Sequence, residues 1–101
     1  MESFLSELRR ARGYLTRLVA RMGSAVVLVP IADVDWVDAR GNYARLHVGS
    51  ETHLVREPLH SLAGRLDPER FARIHRSIIV NLERIVTVEP YFHGEYTTQR
   101  R

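Results

Sequence analysis

The chain contains no cysteine and no lysine. Without cysteine there is no disulfide scaffold, no thiolate metal site and no cysteine nucleophile, and the usage fits a cytoplasmic protein. Long apolar runs are also missing. None approaches the roughly 18–20 residues needed to cross a bilayer, so no membrane partner is expected. The opening Met1-Glu2-Ser3-Phe4 lacks the basic region and apolar stretch of a secretory signal. The absence of lysine makes every one of the 15 cations an arginine, set against 12 carboxylates for a net charge of +3. A GC-rich genome can produce that usage. Chemically, though, the planar guanidinium fork suits bidentate contacts to phosphate and to guanine. What remains is ordinary globular composition, 45% hydrophobic and 27% charged over 101 residues, which is one domain.

Signs of catalysis are equally scarce. There is no glycine-rich phosphate loop, no Gly-x-Ser-x-Gly elbow and no paired-carboxylate spacing. Asp35 and Asp38 stand three apart in an alternating segment, hence on opposite faces. The five histidines are scattered, at 47, 53, 60, 75 and 93. His47 and His53 fall on adjacent strands, but a third ligand on a matching face is not evident. Neither an enzyme nor a cofactor is expected.

Along the chain, residues 3–22 carry apolar side chains at Phe4, Leu8, Ala11, Leu15, Leu18 and Met22. That spacing predicts a helix, with Gly23 at its end and Gly13 as a weak point within it. Its narrow period near 3.5 also suits a short dimer seam. After Gly23 the pattern turns to strands. Residues 24–29 are β-branched and apolar, and Pro30 ends them. Residues 34–39, 43–48 and 52–56 follow as strands separated by the turns Arg40-Gly41-Asn42 and Gly49-Ser50, an antiparallel meander. Pro58 with Leu59, Leu62, Ala63 and Leu66 predicts a short helix. Residues 70–74, 78–80 and 85–88 read as further strands, with Ile74, Ile78 and Val80 directed to the core. Residues 91–98, with Gly94 as the turn, suit the start of a last hairpin arm, while the end, Thr97-Thr98-Gln99-Arg100-Arg101, reads as no strand of its own.

Two clusters carry recognition chemistry. In residues 71–81, Arg73, His75, Arg76, Ser77 and Asn81 are interleaved with aliphatics. Arg76 can fork onto a guanine edge or a phosphate, and Ser77 can donate to a phosphate oxygen. The plainer alternative is a solvated turn with Arg73 paired to Glu69. The other cluster is Asn42 and Tyr43 with Arg45. Asparagine bonds adenine bidentately, and tyrosine contacts a phosphate or a thymine methyl. Its alternative is an ordinary hairpin loop.

These clusters occur together in a known order. Residues 29–39, Gly41-Asn42-Tyr43-Ala44-Arg45-Leu46-His47, residues 54–59, and Arg73-Ile74-His75-Arg76-Ser77 followed by Ile78-Ile79-Val80-Asn81 resemble the LytTR DNA-binding domain. That domain is the output module of bacterial response regulators in two-component systems. The resemblance spans about residues 24–95 and implies a mainly β fold with short helices. In that fold small antiparallel sheets form an elongated domain over 24–101, with an N-terminal helix or linker over 1–23. Its implied function is a DNA-binding transcriptional regulator that inserts loops into successive major grooves of direct-repeat promoter DNA, as a homodimer. Contacts on one face then lie about 10 bp apart. Carried over by position, Asn42, Tyr43, Arg45, Arg76 and Ser77 face the DNA. Arg56 and Arg73 contact phosphate, and His75 is mainly structural. Against the family pattern, the closing strand with its arginine is expected to be missing. The input signal is expected through the N-terminal helix, from a receiver or sensor partner, or not at all. The alternative is a truncated interaction module that dimerises through that helix and modulates another regulator.

Overall fold

In the computed structural model, the structure describes residues 13–90 and 96–100. The elements are β1 (Arg17–Met22), β2 (Ala25–Pro30), a 3-10 turn (Ile31–Asp33), β3 (Trp36–Arg40), β4 (Tyr43–Val48) and β5 (Glu51–Val55). Then come α1 (Leu59–Ala63), β6 (Phe71–His75), β7 (Ile78–Asn81), β8 (Ile85–Pro90) and β9 (Tyr96–Arg100). Seven strands form one antiparallel sheet in the order β2-β1-β5-β4-β3-β7-β6, and β8 and β9 pair separately. The expected β-dominated class holds. The expected set of small sheets is instead one large sheet plus a hairpin. No helix among the described residues is long and apolar enough to cross a membrane.

In the seven-stranded sheet, alternation sorts side chains onto two faces. On the inner face, Leu18, Ala20, Val29, Val37, Ala44, Leu46, Val55, Phe71 and Ile79 are buried against Leu59, Leu62 and Leu66 of the α1 region and Ile31 and Val34 near the 3-10 turn. Pro58 stands just before α1, where its missing N–H costs nothing, and Leu62 is fully buried. On the outer face a second cluster gathers Ile78, Val80 and Ile85 with Trp36 and Ala72. β7 is therefore buried on both sides, and all four of its residues are buried.

Three expectations change. Residues 17–22 of the anticipated helix are strand β1, paired over six positions with β2. The four-three spacing reaches Leu18 and Met22. The same stretch also alternates, with Leu18 and Ala20 buried while Val19 and Arg21 are exposed. Gly23 does not stop a helix. At φ 63° it supplies the left-handed step of a two-residue hairpin, and cross-strand pairing outweighs weak helix propensity. The earlier seam positions Phe4, Leu8 and Ala11 lie outside the described residues. Second, residues 97–100, read as no strand of their own, belong to β9, which pairs antiparallel with β8. Third, Ile74 is half exposed instead of buried. β6 pairs with β7 at Arg73↔Ile79 and His75↔Ile78, so Ile74 is the extra residue of a bulge and is pushed out of the ladder.

Asn81 fixes how the sheet closes. Completely buried, its Nδ2 donates to the Val34 carbonyl at 2.8 Å, and its Oδ1 accepts from the Glu83 N–H at 3.0 Å. Its own N–H donates to the Asp35 carbonyl at 2.9 Å. These bonds tie the end of β7 to the entrance of β3. Replacing Asn81 by leucine keeps the branched shape but strands the Val34 carbonyl, and each orphaned buried partner costs about 1–3 kcal/mol. In urea denaturation Asn81→Leu is expected to lose about that much, and Leu62→Ala about 2–5 kcal/mol. Ile74→Ala, at the bulge, should stay within about 0.5 kcal/mol of the parent.

Candidate nucleic-acid interface

β3 and β7 are antiparallel neighbours, with Trp36↔Val80, Val37↔Ile79 and Asp38↔Ile78. The end of β3 therefore lies beside the start of β7. Ala39 N–H donates to the Ser77 carbonyl at 3.0 Å, which locks the two ends together. The β3–β4 hairpin closes at Arg40↔Tyr43 over Gly41-Asn42, where Gly41 takes φ 60°. The β6–β7 hairpin closes at His75↔Ile78 over Arg76-Ser77. Both tips thus share one end of the sheet. Arg56 follows Val55, which pairs with Ala44 beside Tyr43, so it reaches the same end.

The seven residues singled out in the sequence divide by what holds them. Asn42, Tyr43, Arg56 and Arg76 are exposed, and among the described residues their side chains have no hydrogen-bond or ionic partner. Arg45 is engaged. Its Nε donates to Asp38 Oδ1 at 3.0 Å and its Nη2 to Asp38 Oδ2 at 2.8 Å, a fork-on-carboxylate pair. Arg73 Nη2 donates to the Arg76 carbonyl, not to Glu69, and so braces the turn from below. The Ser77 N–H and hydroxyl both donate to His75 Nδ1, at 3.1 and 2.8 Å. His75 is exposed, and its bonds to Ser77 hold the loop in shape.

The sequence reading does not anticipate the clasp around Asp38. His47 Nε2 donates to Asp38 Oδ1 at 2.8 Å, and the His47 ring stacks on Trp36 with centroids 3.7 Å apart and planes 5° from parallel. Arg40 stands 3.9 Å from the same carboxylate, its side chain more than half exposed at the hairpin tip. Alternation was the available signal: Trp36, Asp38 and Arg40 fall on one face of β3, opposite Arg45 and His47 of β4. His47 and His53 do not meet. His53 is buried on the inner face, and no metal-binding group of His, Asp or Glu occurs among the described residues.

Residues 24–99 match the family model described as LytTr DNA-binding domain. The chain belongs to the LytTr DNA-binding domain family. It is 36% identical over 73 residues to the CO-responsive transcriptional regulator RcoM of Rhodospirillum rubrum, covering 72% of this chain and 31% of that protein. To an uncharacterized response regulatory protein of Vibrio cholerae it is 36% identical over 86 residues, covering 81% and 33%. The sensory transduction protein LytT of Bacillus subtilis is 25% identical over 80 residues, covering 79% and 33%. The chain thus spans about a third of the length of these relatives. Among solved structures, a LytTr DNA-binding domain of a Bacillus cereus response regulator superposes with a TM-score of 0.67 at 22% identity, covering 83% of this chain and 85% of that one. The LytTr fold is therefore shared despite limited identity.

Within this LytTr domain the clasp has a pH signature. Burial alone raises the Asp38 carboxyl; hydrogen bonds from His47 and Arg45, with the charge beside them, outweigh it and leave Asp38 below its ordinary 3.8. A lowered carboxyl stabilises the fold above its ordinary pKa and stops doing so as pH falls through the lowered value. Asp38→Asn is accordingly expected to be less stable than the parent at pH 7. The gap should close on acidification below about pH 4, as followed by urea denaturation across a pH series.

Proposed function

We propose that this chain is the sequence-specific DNA-binding unit of a bacterial transcriptional regulator. The two hairpin tips enter the major groove, and the flanking arginines hold the phosphates. One observation carries the reading: the Asn42–Tyr43 and Arg76 tips stand side by side at one end of a stiff sheet, with Arg56 and Arg40 beside them. Short strand-anchored loops lose little entropy on docking, and neutral Asn42 and Tyr43 next to arginines divide base and sugar contacts from phosphate contacts. Arg76 is the base reader. Its loop is pinned through the Arg73, His75 and Ala39 bonds while the guanidinium itself has no partner among the described residues. Arg45 and Arg73 act here chiefly as positioning residues, and Ser77 reaches a phosphate only by leaving His75. In this reading two copies occupy direct-repeat promoter DNA, with their contacts about one helical turn apart. A receiver or sensor module supplied by the rest of the regulator provides the input.

Fluorescence anisotropy on direct-repeat promoter DNA tests this. Arg76→Ala should cost about 1–3 kcal/mol and relax preference at one base position. Arg56→Ala should weaken all sequences alike and reduce the salt slope by about one. Unchanged affinity and selectivity in Arg76→Ala would remove the base-reading role.

A further inference from the structure

The outer face of β1, β2 and β5 is not covered by any described element. Val19, Val26, Leu28 and Leu54 lie on it, 62%, 62%, 65% and 42% exposed. Register places Val19 opposite Leu28, and Arg21 opposite both Val26 and Leu54. Val19, Val26, Leu54, Tyr43, Arg21 and Arg56 line an open groove of about 520 Å³. That volume falls within the range of small-molecule sites, roughly 300–1,000 Å³ with apolar walls and a few converging polar groups.

Charge decides the occupant. Arg21 and Arg56 have no ionic or hydrogen-bond partner among the described residues. The nearest carboxylate in sequence, Glu57, is taken by Arg65 and Ser61. The outward positions of β1, β2 and β5 offer arginine, aliphatic and, at Thr52, hydroxyl side chains but no acid. In a self-complementary contact, a second copy would bring this same face, which carries arginines but no acid to answer them. Nucleic acid would satisfy the guanidinium groups but leave Val19, Val26 and Leu54 in water. A ligand with a carboxylate at one end and hydrocarbon at the other satisfies both halves: the forked guanidinium groups take the acid and the aliphatic wall takes the chain.

We propose that this groove binds a small amphipathic carboxylate, and that the bound acid competes with DNA through the shared Tyr43 and Arg56. The competition, though not the site, rests on the DNA-binding reading above. The test titrates the 15N-labelled full chain with octanoate, using 1-octanol and acetate as probes that each lack one half of the chemistry. The expected result is saturable shifts of the Val19, Arg21, Val26 and Leu54 amides with octanoate, weaker binding of octanol and none of acetate. Arg21→Gln, an exposed change whose spectrum should otherwise match the parent, is expected to weaken octanoate binding roughly tenfold. The site is overturned if octanoate gives no saturable shifts, if octanol binds equally well, or if Arg21→Gln binds as the parent does. It is also overturned if the same amides shift with protein concentration alone, which would assign the face to a second copy. In the DNA arm, saturating octanoate should weaken promoter binding roughly tenfold. Octanoate binding without that loss overturns the competition and leaves the acid site standing. DNA binding by a chain that ignores octanoate overturns the acid site and leaves the DNA reading intact.

Discussion

The pairing of β3 with β7 is the constraint on which the rest of this domain depends. These strands are far apart in sequence, and each leads into or out of a different hairpin. Laying them antiparallel turns two separate loops into one surface. Asn81 sets that register by bonding the Val34 carbonyl and the Asp35 carbonyl at once, in a fully buried position where an unmade bond is costly. At the other end Ala39 and Ser77 close the seam. β7, buried on both faces, gives the pairing its hydrophobic anchor, since Ile79 joins the main core while Ile78 and Val80 join the outer cluster.

The polar groups around this seam follow a division of labour. Some arginines are spent inside the protein: Arg45 on Asp38, Arg73 on the Arg76 carbonyl, Arg70 on Glu83. Others stand exposed at the sheet end. The internal set limits the motion of the strands and turns from which the external set projects. An arginine on a fixed strand end loses less freedom on meeting a phosphate or base than one on a mobile loop. The Trp36–His47 stack and the Asp38 clasp serve the same purpose on the outer face, away from α1.

Much of this was legible in the residues. Period-two alternation marked β3 and β4 and sorted their side chains into two faces, and the Gly49-Ser50 turn marked the start of β5. Gly41-Asn42 marked a tight turn, and Pro58 with its leucines marked α1. The two recognition clusters were found because polar groups stood where strands begin and end. Residues 17–22 misled because four-three spacing and alternation overlap over six positions, and only the hairpin partner β2 separates them. Ile74 misled because a bulge shifts the period by one, and a bulge is visible only in the ladder. The Asp38 clasp escaped because its members are seven and nine residues apart across a turn, a distance at which composition carries no pairing information.

By itself the sequence determined much of the local structure: the strands from β2 to β8 and α1, the turns at Gly41 and Gly49, most of the side chains that seek the interior, and the family the pattern fits. These rest on propensity and periodicity, and both act between near neighbours. Only the tertiary structure decided which strands became neighbours, hence that Asn42 and Arg76 share an end and that Arg45 is held while Arg76 is not. The same packing left the outer face of β1, β2 and β5 uncovered by any other described element. Those outcomes depend on contacts between distant residues, which form only when burial and strand register are satisfied for the whole sheet at once.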